Sequence, residues 1–324
     1  MLIRKMAVSG LLMFVYSSCG AQDLSLLAGG MRASGIHDTS YAWELDYRQG
    51  LNENLAFTLS WLNEGHVLHH HRDGQSAQIW ARTNLLDRHL SLAAGVGPYF
   101  YYDTTGAGAG YMDKHGWGTI TSLAATYYTK SGWIYEARAN RVIASTSINT
   151  TSMLFGIGYQ LEPPLGTEPS ASTPPQTEKP TTNQVTFFLG QTIVNSFASQ
   201  HDTARAIEFR HGVSPHFEWS ASWLNEGDAR LIRRDGVIAQ AWLVHGFFDN
   251  RFTLGAGLGP YFSIDRYRAP QPGEASNITV SAIVTATAAM RLSPHAYLRT
   301  SWNRIASTYN RDTDVILMGL GYSF

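Results

Sequence analysis

The chain has 324 residues, 24 basic against 25 acidic, with 12% aromatic residues and a single cysteine, Cys19. A charge balance this close to neutral argues against a nucleic-acid partner, and one cysteine excludes an intramolecular disulfide. No run of about 20 apolar residues is present after the N-terminus, so no helix is expected to cross a membrane.

The first 21 residues read as a secretory signal peptide. Arg4 and Lys5 give the positive start, Ala7 to Val15 the short apolar stretch, and Cys19-Gly20-Ala21 a small-x-small cleavage site before Gln22. Cys19 lacks the Leu expected three residues before an acylated cysteine, which argues against lipidation. Loss of Arg4 and Lys5 takes the 24 basic residues to 22 against 25 acidic, a net charge of about −3.

Residues 22–161 break into eight stretches of alternating polarity, near 23–35, 40–50, 55–65, 74–86, 89–103, 116–130, 133–146 and 150–161. In the third, Leu55, Phe57, Leu59 and Trp61 share one face while Thr58, Ser60 and Glu64 share the other, a period of two. Residues 162–183 follow, with half of the 12 prolines among Ser, Thr, Glu and Lys, and read as an extended linker. Residues 184–324 then repeat the pattern near 184–197, 203–213, 216–227, 236–248, 251–265, 276–292, 296–307 and 312–324.

The two halves are copies. Ser60-Trp61-Leu62-Asn63-Glu64-Gly65 returns as Ser222-Trp223-Leu224-Asn225-Glu226-Gly227, Arg72-Asp73-Gly74 as Arg234-Asp235-Gly236, and Gly95-Val96-Gly97-Pro98-Tyr99-Phe100 as Gly257-Leu258-Gly259-Pro260-Tyr261-Phe262. Asn140-Arg141 returns as Asn303-Arg304. An offset held over roughly a hundred residues is the mark of an internal duplication.

Stretches of this length, joined alternately by tight turns and by longer links such as 104–115, predict antiparallel up-and-down transmembrane β-barrels. Rings at strand ends (Tyr41, Trp43, Tyr47, Trp61, Trp133, Tyr135, Trp302) favour a membrane girdle over a soluble sandwich. The Pro-rich linker favours two tandem eight-stranded barrels, tethered in the periplasm, over one sixteen-stranded pore. The chain ends Gly321-Tyr322-Ser323-Phe324, and an aromatic strand ending in Phe324 resembles the signal read by the outer-membrane assembly machinery. The expected location is therefore the outer membrane of a Gram-negative cell.

With the bulky apolar face toward lipid, the other face fills the lumen. Asp46, Arg48, Arg82, Glu136 and Arg138 in the first copy, and Glu208, Arg210 and Arg299 in the second, are expected to form an interior ion-pair network. Eight strands leave room only for side chains, and an unpaired charge there is costly.

At the outer rim, Glu64, Arg72 and Asp73, with Glu226, Arg233, Arg234 and Asp235, are candidates for binding, the alternative being that Glu64 faces Arg72 or Arg82 in a structural pair that fixes the loop base. Arg grips phosphate bidentately, so lipopolysaccharide is the expected partner among the outer-membrane lipids. His66, His69 and His71 are donors suited to zinc. Their counterparts Asp228, Leu231 and Arg233 retain none of this set, so no metal or other cofactor is expected as a common feature.

The segment Ala94-Gly95-Val96-Gly97-Pro98-Tyr99-Phe100-Tyr101-Tyr102-Asp103-Thr104 resembles the Gly-rich fifth-strand region of the lipid A 3-O-deacylase family of eight-stranded outer-membrane barrels. Asn303-Arg304-Ile305-Ala306-Ser307-Thr308 sits where that family carries its His-x-Ser-Asn motif. The resemblance implies the barrel fold, and by its motif it would make Ser307 and Ser145 the nucleophiles of an acyl hydrolase. The family's His is replaced by Ile305 and Ile143. Glu64, His66 and His115 are the remaining candidates to assist such a serine, and a hydroxyl without an imidazole is a poor nucleophile. The expectation is therefore a non-enzymatic envelope protein whose loops contact lipopolysaccharide or an external ligand.

Overall fold

The computed structural model describes residues 22–107, 110–162, 179–266 and 277–324. The signal peptide and most of the linker lie outside the described residues. All sixteen elements are strands, and no helix among the described residues is long and apolar enough to cross a membrane.

The first copy supplies β1 (Gln22–Ala33), β2 (Thr39–Gly50), β3 (Leu55–Val67), β4 (His70–Leu85), β5 (Leu90–Ala107), β6 (Gly110–Tyr128), β7 (Trp133–Ala144) and β8 (Thr150–Glu162). Each pairs with its neighbour in sequence, and β8 returns to β1, with Phe155 opposite Ala28, to close the ring. The second copy supplies β9 (Asn183–Val194), β10 (His201–Gly212), β11 (Phe217–Asp228), β12 (Arg233–Phe247), β13 (Phe252–Asp265), β14 (Asn277–Arg291), β15 (Ala296–Ala306) and β16 (Thr313–Ser323), with β16 closing on β9. The chain thus forms two eight-stranded antiparallel barrels. The sixteen-stranded alternative is ruled out, because β8 and β9 each complete a ring with their own copy.

Alternation sets the two faces. In β2, Glu44, Asp46 and Arg48 are buried while their neighbours are half-exposed. Outside the first barrel, Leu26, Leu123, Met153, Phe155 and Ile157 are each more than half exposed; outside the second, Phe187, Leu189, Met318 and Leu320 are. Trp133 meets Tyr159 edge-on at the short-turn rim of the first barrel, with ring centroids 5.5 Å apart. This is an inside-out distribution for a protein in water and the expected one for a barrel facing hydrocarbon.

One expectation about the links fails. Residues 66–67 and 70–73, and 104–107 and 110–115, are not open loops. They continue the ladders of β3 and β4 and of β5 and β6, and β4, β5 and β6 reach 16, 18 and 19 residues. Polar and aromatic residues there stand beyond the apolar belt, so they lack the lipid-facing periodicity that marks a strand in sequence.

The repeated Gly-x-Gly-Pro is a close-approach motif. Both the β4–β5 and β12–β13 ladders skip pairing at it, between Ser76 opposite Tyr99 and Ile79 opposite Val96, and between Ile238 opposite Tyr261 and Ala241 opposite Leu258. A Cβ at Gly97 would stand 1.9 Å from the Ala77 carbonyl oxygen, and one at Gly259 1.8 Å from that of Ala239. No side chain fits at either position.

Candidate functional site

The three longest repeated motifs converge on one constellation at the long-loop rim of each barrel. In β3, Glu64 and Gly65 together oppose Arg72 of β4, a β-bulge, and Glu226 and Gly227 oppose Arg234 in the second copy. Gly65 and Gly227 take φ of 62° and 76°. The Asn63 side-chain oxygen accepts from the Gly65 N–H at 3.0 Å, and Asn225 does the same for Gly227 at 3.2 Å. The Asn-Glu-Gly triplet therefore builds the bulge and sends its Glu inward.

There the carboxylate meets the guanidinium of the Arg-Asp-Gly motif. Arg72 Nε and Nη2 donate to Glu64 at 2.5 and 2.9 Å. Nη2 also donates to Thr150 Oγ1 at 3.0 Å, and Nη1 to Ser147 Oγ at 3.1 Å and to the Ile148 carbonyl. Tyr99, from the Gly-Pro-Tyr motif, donates to Glu64 at 3.0 Å. In the second barrel Arg234 donates from Nε and Nη2 to Glu226 at 2.5 and 2.9 Å and from Nη2 to Thr313 at 3.0 Å. Its Nη1 donates to Tyr309 at 2.8 Å and to the Arg311 carbonyl at 3.2 Å. Burial pushes the Tyr309 phenol above its ordinary pKa, and the neutral hydroxyl donates onward to Asp265 at 2.9 Å.

This geometry corrects the expectation for Arg72 and Arg234 as surface anion grips. A guanidinium has five N–H donors, and all five are engaged inside the barrel in both copies. Glu64, Arg72, Glu226 and Arg234 are each at most 1% exposed. They form a latch that ties the bulge to the β7–β8 or β15–β16 loop. Asp73 is buried and accepts from the Trp61 indole at 3.0 Å, and Asp235 pairs with Arg266 at 2.7 Å. Of the rim set only the Arg233 side chain is exposed, and its backbone N–H donates to Asp265 at 3.3 Å.

Below the latch the lumen is filled. In the first barrel Arg138 donates to Glu44, Asp46 and Glu136 at 2.6 to 3.0 Å, and Arg48 pairs with Glu136 at 3.0 Å. Arg138 lies 5.0 Å over the Trp80 ring. In the second, Glu208 accepts from Arg299 at 2.7 Å and from Arg210 at 3.1 Å, and Glu218 accepts from Arg210 at 3.3 Å and from Lys179 of the linker's end. Arg82 departs from the expected network: it turns to the Asn52 and Glu53 carbonyls and caps the tight turn there. The first barrel's Glu44 and Arg138 stand in register with Ala206 and Ser301. Those two residues help line an internal cavity of about 20 Å³, room for roughly one water.

The catalytic candidates do not assemble. Ser307 donates to Asp312 at 3.0 Å and accepts from the Arg311 N–H at 2.8 Å, a loop-closing turn. Ser145 is exposed at the end of β7, and His115 packs edge-on against Tyr102, centroids 5.5 Å apart. Among the described residues no histidine hydrogen-bonds either serine, and Glu64 is committed to the latch. The histidine set is likewise split. His66 and His71 stack at 3.9 Å, His69 sits at the hairpin tip with φ of 63°, and His70 bonds Asp103 at 2.8 Å. Among the described residues no three His, Cys, Asp or Glu side chains gather as a metal-holding group.

Sequence reasoning missed Tyr99 and Tyr261, Thr150 and Thr313, and Asp103 and Asp265. All recur at the repeat offset on inward positions, which is the signal that identifies them.

No protein-family model matches the chain, and no curated protein does. Among solved structures, the chain is similar to the N-terminal β-barrel domain of Pseudomonas aeruginosa OprF at 13% identity, over 44% of this chain and 99% of that one, with a TM-score of 0.36. It is similar to Neisserial surface protein A at 10% identity over 44% and 99%, TM-score 0.38. The attachment invasion locus protein Ail of Yersinia pestis matches at 12% identity over 44% and 98%, TM-score 0.32.

Proposed function

We propose that this chain is a non-enzymatic outer-membrane protein whose two barrels cross the bilayer by strands and engage lipopolysaccharide at their long-loop ends. The observation that carries the reading is a pairing of opposites. Each interior is filled and ion-paired, so nothing of solute size passes or reacts there, while each outer wall is a belt of exposed apolar side chains. What such a barrel offers a ligand is its outer rim. The linker then lies in the periplasm, and the aromatic last strand is offered to the assembly machinery.

The test has two parts. Membranes of expressing cells are separated, and the chain is expected with the outer membrane, migrating on gels as a compact band that shifts on boiling. Lipid A from those cells is expected to keep its acylation pattern. Recovery in the soluble fraction would overturn the location, and loss of an acyl chain that depends on Ser145 or Ser307 would overturn the non-enzymatic reading.

A further inference from the structure

From a lateral row on the outer wall of the first barrel we infer a binding site for the phosphate of a lipid headgroup. The row is Arg32 of β1, Thr151 of β8 and Arg141 of β7. Thr151 is the register partner of both arginines, so the three lie side by side across adjacent strands. Strand spacing puts the two arginine backbones about 10 Å apart with a hydroxyl between them. All three side chains belong to the outward set of alternating positions, and Arg32 and Thr151 are exposed.

Height selects the ligand. Below Thr151 on the same face of β8 come Met153, Phe155, Ile157 and Tyr159, and Tyr159 is the register partner of Trp133 in the opposite girdle. Eight residues of a strand tilted by about 40° rise roughly 20 Å, close to the ~25 Å apolar band of an outer-membrane barrel. The two guanidiniums therefore stand where acyl chains end and headgroup phosphates begin.

Partners select it too. Arg141 Nη1 is steadied by neutral hydroxyls, Ser34 at 2.7 Å and Thr151 at 2.9 Å. Among the described residues no carboxylate pairs with Arg32 or Arg141. The second barrel supplies the contrast: its matching row is Ile193, Asp314 and Arg304. There Asp314 pairs with Arg304 at 2.7 Å and accepts from the Trp302 indole at 2.9 Å. One row carries two cations facing the headgroup layer, and the other has closed on itself. Bidentate Arg–phosphate contacts suit the first. The site rests on the proposed outer-membrane reading and gives it an address.

The purified full-length chain in detergent is titrated with bisphosphorylated lipid A, with the same lipid dephosphorylated, and with inorganic phosphate, and binding is read by native mass spectrometry. Arg32→Ala with Arg141→Ala is one variant, and Thr151→Asp, which copies the closed row, is a second. Both change outer-wall positions, Thr151 being on the face of β8 opposite the latch residue Thr150, and the heat-shifted gel band checks folding. Each variant is expected to bind bisphosphorylated lipid A at least about tenfold more weakly, the factor given by a loss of ~1.4 kcal/mol. Wild type is expected to prefer the bisphosphorylated form to a similar degree, with inorganic phosphate failing to displace it. Folded variants that bind like wild type would remove this site and leave the lipopolysaccharide reading standing. A wild-type chain that retains no lipid A would end both. Displacement by inorganic phosphate would make it a free-anion site and overturn the lipid assignment.

Discussion

Arg234 is held by one carboxylate, two hydroxyls and a carbonyl, and nothing in the lumen could replace its charge. Arg234→Met should therefore strand Glu226 and lower the stability of the second barrel by about 3–5 kcal/mol, read as a lower urea midpoint for its folded gel band. Arg234→Met with Glu226→Leu removes both charges and should recover most of that loss. A double variant as weak as the single one would mean that the latch acts through shape and not through charge. Much of this site was legible in the sequence: Glu64 and Arg72 recur together in both copies, alternation puts Glu64 on the lumen face, and a structural pair fixing the loop base is one reading of the two. The binding reading went astray because a rim arginine counted from one strand looks free. Only the loop that folds over it, with Ser147 and the Ile148 carbonyl, shows that its donors are used. Arg82 was misplaced for a related reason, since alternation gives a face but not whether a long side chain turns toward the lumen or toward the nearer turn.

At the scale of the strand pair, the Gly-x-Gly-Pro segments decide whether a barrel closes. With 1.9 Å available at Gly97, the smallest side chain collides with backbone that cannot swing aside. Gly97→Ala or Gly259→Ala should prevent closure of the affected barrel, seen as loss of its compact gel band, whereas Gly35→Ala, with open space around it, should not. A compact band in Gly97→Ala would show that β4 and β5 can separate there without harm. The strands themselves were readable because lipid on one side and packed side chains on the other impose a strict period of two. The upper ends of β4, β5 and β6 (70–73, 104–107 and 110–115) were not, because both faces leave hydrocarbon there and polar residues are tolerated on each.

For the whole chain, the duplication and the Pro-rich break between copies were enough to favour two rings over one. A single sixteen-stranded ring would have needed a tight turn where the linker stands. Two filled lumens carry an electrical consequence. Reconstituted in planar bilayers, the chain should give no large, long-lived conductance steps, since buried ion pairs fill both lumens and the cavity in the second barrel has room for about one water. Stable openings of porin size would show that the interior charges rearrange, and would return attention to solute passage.

The two interiors also constrain the order in which their sequences could have changed. The first barrel sets Glu44, Asp46 and Glu136 against Arg48 and Arg138; the second has Ala206, Arg299 and Ser301 where the first has Glu44, Glu136 and Arg138, and Glu218 where the first has Ala56. Each of these four changes, taken alone, alters the interior charge by one or two units, and an unpaired buried charge is costly. A lineage walking between these two interiors therefore has to trade charges in compensating steps, while the rim motifs, bound to each other in both copies, stay where they were.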